Sequence, residues 1–233
     1  YATTNVLPPD DAIASDNALY IAPLTFTQKY IKQSSQYPCS LNEITVSLAT
    51  SIKLLATCKD PSTNVAYARY PQMTITGLTG TRVGTSLSAF TSSDPEFEGV
   101  NANFDVSNGT LVFAPAQDVA SSTLYSFSFT VRNQATKQDA PVLSLSTDIM
   151  SHVEEAMSTP STIASKPMNI IDPDVLDGTR VHQASSNPCS SNTITVSIKM
   201  NVPVFTFCKP SLTFTGLLSY TETSPVFDTA TAS

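Results

Sequence analysis

Four cysteines are the residues in this 233-residue chain with the clearest capacity for chemistry, and their spacing repeats: 18 residues separate Cys39 from Cys58, and 18 separate Cys189 from Cys208. A cysteine thiolate can act as a nucleophile, a metal ligand or a disulfide partner. No pair is spaced C-x-x-C, and neither His152 nor His182 completes a zinc-ligand pattern. That leaves one disulfide per pair, Cys39–Cys58 and Cys189–Cys208, with four unpaired buried thiols as the alternative. Closing a loop of this size is worth about 3 kcal/mol in the chain-entropy model. Disulfides point to an oxidising compartment, hence to an extracellular or cell-surface location.

Acidic residues are the second group. Asp94-Pro95-Glu96-Phe97-Glu98 is followed by Asn101, Asn103 and Asp105, and Asp172-Pro173-Asp174 by Asp177-Gly178. Closely spaced oxygen ligands can wrap Ca²⁺, which takes six to eight of them. Asp94, Glu96, Glu98, Asp172, Asp174 and Asp177 are therefore candidate Ca²⁺ ligands, although neither run follows the EF-hand pattern; the alternative is a solvated acidic loop. Paired carboxylates also suit glycoside hydrolysis, but the chain has no tryptophan to stack a sugar. No G-x-S-x-G, H-E-x-x-H, P-loop or dinucleotide fingerprint occurs. His152 and His182 read as solvated loop residues, and no enzymatic activity and no cofactor other than Ca²⁺ is expected. Asn108-Gly109-Thr110 is the one N-x-S/T sequon, a glycan acceptor or an ordinary Asn-Gly turn. Ser158-Thr159-Pro160-Ser161-Thr162 is a candidate O-glycan carrier.

The elements that position these groups also repeat. Gln33-Ser34-Ser35-Gln36-Tyr37-Pro38-Cys39-Ser40-Leu41-Asn42-Glu43-Ile44-Thr45-Val46-Ser47-Leu48 matches Gln183 to Ile198 at an offset of 150 residues. The offset extends upstream, from Ala14-Ser15 to Ala164-Ser165, Ile21 to Ile171 and Pro23 to Pro173. A fixed period marks a tandem array. Glu43 to Ala49 alternates apolar and polar residues, as does Leu124 to Val131, where Tyr125, Phe127, Phe129 and Val131 share one face. Further strands are predicted at Ala18–Phe26, Ile52–Thr57, Met73–Leu78, Thr110–Phe113 and Val142–Ser146, and Leu212–Leu217 copies Met73–Leu78. Only His152–Met157 looks helical.

Short alternating strands between turn signals predict an all-β, antiparallel sandwich. The predicted organisation is an N-terminal arm or linker over 1–37, an Ig-like β-sandwich over 38–150, a linker or arm over 151–187, and a partial second Ig-like sandwich over 188–233. The second unit lacks counterparts of the later strands. Either a longer chain supplies them, or another subunit does by β-strand addition, with Tyr1–Phe26 as candidate donor.

Net charge is −7, from 12 Lys and Arg against 19 Asp and Glu. Without clustered cations, neither nucleic acid nor an anionic membrane surface is an expected partner. No apolar run is long enough to span a bilayer as a helix.

The Pro-Cys-Ser-x-Asn-x-Ile-Thr-Val-Ser segments, the Cys-Lys pairs at 58–59 and 208–209, the Thr-Ile-Thr-Gly-Leu and Thr-Phe-Thr-Gly-Leu strands and Leu124–Gln134 together resemble the repeats of large secreted surface proteins of algae and protists, including mastigoneme-like filament proteins. The resemblance covers about residues 33–146 and 183–217 and implies an Ig-like sandwich array with a structural role. It supplies no catalytic residues. The expected function is thus a structural part of an extracellular filament, appendage or surface layer, with copies of itself and glycans as partners. The alternative is an extracellular adhesion or carbohydrate-binding module, with the 81–105 loops as its binding region.

Overall fold

The structure is a computed structural model that describes residues 23–56, 58–59, 66–67, 71–82, 87–148 and 154–216. Its strands are β1 (Phe26–Gln33), β2 (Leu41–Thr50), β3 (Cys58–Lys59), β4 (Ala66–Tyr67), β5 (Met73–Thr76), β6 (Thr91–Ser92), β7 (Asn103–Asp105), β8 (Thr110–Phe113), β9 (Tyr125–Arg132), β10 (Ser144–Thr147), β11 (Glu155–Ala156), β12 (Arg180–Gln183) and β13 (Ile194–Ser197). All strand pairs are antiparallel. One sheet runs β1-β2-β9-β6 and the other β11-β10-β5-β8-β7; β12-β13 and β3-β4 are separate two-stranded ribbons.

The period-two pattern explains how the two larger sheets pack. Ile44, Val46 and Leu48 of β2 are fully buried, and Tyr125, Phe127, Phe129 and Val131 of β9 point the same way. Met73, Ile75, Leu111, Phe113 and Leu145 of the opposite sheet join them in one core cluster. Phe127 sits at its centre, stacked on Phe90 and Phe97 at 4.5 and 4.9 Å between centroids and meeting Phe113 edge-on. Such aromatic pairs add about 0.5–1.5 kcal/mol each beyond area burial. The all-β antiparallel sandwich predicted from the pattern is the architecture observed.

Several boundaries differ from the prediction. Residues 26–33, assigned to the arm, form β1 and pair with β2 along most of its length. Only Phe26, Ile31 and Gln33 of β1 are buried, so this edge strand carries too few inward apolar residues to announce itself. Ala18 to Ala22 lie outside the described residues. The stretch 151–187, assigned to a linker, contributes to the first sandwich. β11 extends the β10 edge, Ser158 bridges β1 in parallel, and Ile170 bridges Gln138. Glu155–Ala156 is strand where a helical turn was predicted, because its backbone completes the β10 edge. Ile52–Thr57 reduces to one bridge, Leu54 to Val119, and Thr57 lies outside the described residues. Residues 211–216 form no strand; the strands that hold Met73–Thr76 in the first unit are β8 and β10.

The 150-residue repeat is structural as well as sequential. Tyr30, Ile31, Lys32 and Gln33 face Ser47, Val46, Thr45 and Ile44; Arg180, Val181, His182 and Gln183 face Ser197, Val196, Thr195 and Ile194, the same register moved by one period. The surroundings differ. Ile31 and Ile44 are 0% exposed, whereas Val181 and Ile194 are 65% and 44% exposed. In the first unit β9 and the facing sheet cover the hairpin.

Candidate functional site

The turn between β1 and β2 carries Cys39, and its shape comes from side chains as much as from backbone. Asn42, fully buried, accepts at Oδ1 from the Ser34 and Ser35 amides at 3.2 and 3.1 Å. Its Nδ2 donates to Gln33 Oε1 and Asn133 Oδ1, both at 2.9 Å. Asn133 in turn donates to the Ser35 and Tyr37 carbonyls at 3.1 and 3.0 Å. These bonds fix a tight turn in which Cys39 adopts a left-handed backbone, φ 63°. That conformation is uncommon for a residue with a side chain and costs about 1–3 kcal/mol where it persists.

The structure pairs Cys39 with Cys208, their Cα atoms 6.1 Å apart, and leaves Cys189 free and exposed. The predicted pairs Cys39–Cys58 and Cys189–Cys208 are both overturned, since each cysteine forms only one disulfide. The side chain of Cys58 lies outside the described residues. The bond thus joins the first-position cysteine of one unit to the second-position cysteine of the next. The physical reason is docking: residues 200–210 lie over the end of the first sandwich that carries Cys39, where Pro38, Cys39, Ala135, Pro173, Val202, Phe205 and Cys208 line a cleft of about 160 Å³. Such a cleft is below the ~300 Å³ of ordinary ligand pockets.

Two arginines reinforce the contact. The guanidiniums of Arg132 and Arg82 stand 4.2 and 4.6 Å from the centroid of the Phe207 ring. Arg132 also donates to the Cys39 carbonyl at 2.9 Å, and Arg82 approaches the Cys208 sulfur at 2.9 Å. Each cation–π contact contributes about 0.5–2 kcal/mol. No motif or periodicity in the sequence marks this cluster; the period aligns Phe207 with Thr57, so the first unit has no ring at that position.

Among the acidic candidates, Asp94, Glu96, Glu98, Asp172 and Asp174 take part in hydrogen bonds within the fold. Asp94 accepts from the Ser126 amide at 2.9 Å through Oδ2, and its carbonyl accepts from the Phe97 and Glu98 amides. Glu98 accepts from the Ser92 amide at 2.6 Å, and Glu96 uses its carbonyl to accept from Ala116. This turn drives Phe97 into the core. Asp174 Oδ1 caps the Val175 amide, the Asp172 carbonyl accepts from Asn201 Nδ2, and Asp177 is exposed. Among the described residues no three His, Cys, Asp or Glu side chains group as a metal site. Asn108 is exposed on the β7–β8 turn and donates to Asp105 Oδ2 at 2.6 Å. Hydrogen bonds from Ser107 and Asn108 hold the Asp105 carboxyl below its ordinary range. His182 lies on β12; His152 lies outside the described residues.

Among the described residues no helix is long and apolar enough to cross a membrane. No protein-family model matches this chain, and no curated protein matches it.

Proposed function

We propose that this protein is a structural component of an extracellular filament, appendage or surface layer, built from tandem Ig-like sandwich units joined end to end. The observation that carries this reading is the disulfide between Cys39 and Cys208, which crosses from one unit to the next. A bond within a unit would stabilise that unit's fold; a bond between units resists extension of the array. The sheet order supports the immunoglobulin-like part of the reading. β1, β2, β9 and β6 neighbour one another as the A, B, E and D strands do in such domains, and β5, β10 and β11 neighbour as C, F and G do. The disulfide and the sequon at Asn108 together support an oxidising, glycosylating route of synthesis.

The mechanism is mechanical. Each sandwich resists shear through its ladders and its aromatic core, and the junction combines a covalent link with the Arg82–Phe207–Arg132 stack. Negative-stain electron microscopy of the protein at rising concentration tests the proposal. Filaments or sheets with a regular repeat are expected; dispersed monomers at every concentration overturn it. Intact mass of native material tests the glycans, since a mass equal to the bare sequence excludes them.

A further inference from the structure

We infer that the outer edge of β13 is an acceptor site, and that its occupant is an extended strand offered in trans by another polypeptide. The occupant has the chemistry of β9: large apolar side chains at alternate positions, with an Asn two residues beyond the last of them. The inference deepens the proposed structural role and rests on it. It comes from setting the two hairpins side by side, because the first shows what the second lacks.

In the first unit β2 has a strand on each side, β1 and β9. The Ser34 amide donates to the Glu43 carbonyl, and one period on the Ala184 amide donates to the Thr193 carbonyl. Along an antiparallel strand, alternate residues turn both backbone groups to the same neighbour. Glu43, Thr45 and Ser47 therefore bond to β1, and Ile44 and Val46 bond to β9, opposite Phe129 and Phe127. By the same parity Thr193, Thr195 and Ser197 are committed to β12, while Ile194 and Val196 turn their amides and carbonyls outward. Among the described residues no strand pairs with that edge. Such an edge is a template for strand addition.

The side chains define the chemistry that fits. Ile31, Ile44 and Val46 are fully buried, whereas their counterparts Val181 and Ile194 are exposed and Val196 is half-buried. A strand with large apolar residues opposite Ile194 and Val196 covers them as cross-strand neighbours, as Phe129 and Phe127 do for Ile44 and Val46. Asn42 Nδ2 donates to Gln33 and to Asn133. Asn192 Nδ2 donates to Gln183 at 3.4 Å and, among the described residues, to no counterpart of Asn133. An Asn two residues past the last apolar position of the incoming strand supplies that counterpart. In this sequence the pattern occurs once, as Tyr125, Phe127, Phe129, Val131 and then Asn133, and that strand is already held between β2 and β6. A second copy of the folded chain has no such strand to spare.

The test is binding of a fluorescent peptide of residues Leu124–Gln134 to the full chain, read by anisotropy, with hydrogen exchange of the complex resolved to single amides. Because β2 already holds β9, saturable one-to-one binding is expected, with the Ile194 and Val196 amides newly protected. N-methylation of the peptide at the Phe127 and Phe129 amides, the two that face β2 in the fold, is expected to weaken binding about tenfold or more. Asn133→Ala in the peptide is expected to weaken it several-fold. Both changes leave the protein untouched, so neither result is confounded by misfolding. No saturable binding, equal binding by the N-methylated peptide, protection elsewhere on the chain, or self-association of the chain that buries the β13 edge overturns the inference. So does tighter binding of a peptide of residues 1–22. Filaments without peptide binding leave the structural role standing and remove the acceptor edge. Binding without filaments does the reverse.

Discussion

Replacing Asn42 with alanine and, separately, Asn192 with alanine uses the repeat as its own control. Both asparagines hold the same turn one period apart. Asn42 is fully buried and makes four hydrogen bonds, at 2.9 to 3.2 Å, to Ser34, Ser35, Gln33 and Asn133. Each contributes a net ~1 kcal/mol, and a partner left buried without a substitute costs about 1–3 kcal/mol. With Gln33 and Asn133 also buried, the expected loss for Asn42→Ala is about 3–5 kcal/mol, a large share of the 5–15 kcal/mol typical of a domain. Asn192 makes its corresponding bonds to Ser185 at 3.0 Å and Gln183 at 3.4 Å while exposed. Water replaces them, so Asn192→Ala is expected to cost about 0.5 kcal/mol or less. Urea unfolding followed by tyrosine fluorescence is the assay, since the chain has 8 tyrosines and no tryptophan. Equal midpoint shifts in the two variants, or a loss below about 1 kcal/mol for Asn42→Ala, would refute the claim that burial makes this motif a structural clamp.

Arg132→Ala removes both a stack on Phe207 and a hydrogen bond to the Cys39 carbonyl; reduction of Cys39–Cys208 by dithiothreitol is expected to speed up several-fold, measured by alkylation and mass spectrometry, and unchanged kinetics would count against the clasp. Gly109→Ala places a Cβ 2.6 Å from the Leu78 and Thr79 backbones at φ 63°, whereas Gly99→Ala at φ 68° meets nothing within 4 Å; the first is expected to cost about 1–3 kcal/mol more than the second in thermal unfolding. Burial acts to raise the Glu155 carboxyl, but hydrogen bonds from Lys29 and the Phe26 amide and the Lys29 charge outweigh it, so its pKa is lowered. A depressed carboxyl stabilises the fold above its unfolded pKa and loses that contribution as pH falls through its folded value. Wild type should therefore lose stability on acidification below the ordinary glutamate range more steeply than Glu155→Gln, as measured by urea midpoints at stepped pH. Titration calorimetry with Ca²⁺ is expected to give no heat, because Asp94 and Glu98 already accept backbone amides; a saturable isotherm would show that the acidic loop reorganises around the ion.

The parts of the fold legible in the sequence were those whose alternation is local. β2, β8 and β9 carry an apolar residue at every second position and face one core, so periodicity located them to within a residue or two. β1 escaped because it is an edge strand with three buried side chains among eight. β11 escaped because it is two residues long and held by backbone pairing to β10, which leaves no side-chain pattern to read. The disulfide pairing is illegible in the sequence for a different reason. Cys39 and Cys208 lie 169 residues apart, one 150-residue period beyond the spacing from Cys39 to Cys58. In a tandem repeat, spacing fixes position within the unit but not which unit supplies the partner. Pairing within a unit and pairing between units therefore leave the same spacing in the sequence.

The exposed second hairpin bears on how such a junction is made. β12 and β13 keep the register of β1 and β2 without the cover of a β9 strand, so the turn geometry is set by the hairpin and its Asn and Ser side chains rather than by the core. Contacts that close over few residues form early, because little loop entropy is lost in making them. A hairpin of this kind can present its cysteine in the left-handed conformation before the rest of its sandwich has condensed. The Cys39 turn gains the Asn42–Asn133 bond only when β9 is in place, since Asn133 directly follows that strand. Completion of the sandwich thus locks a thiol that the hairpin alone already aims. The expected order is turn first, sandwich second and inter-unit bond last, since that bond closes over a sequence separation of 169 residues. Pulsed alkylation during refolding tests it: Cys39 should stay reactive until β9 is protected, whereas early loss of Cys39 reactivity would place the bond ahead of the fold.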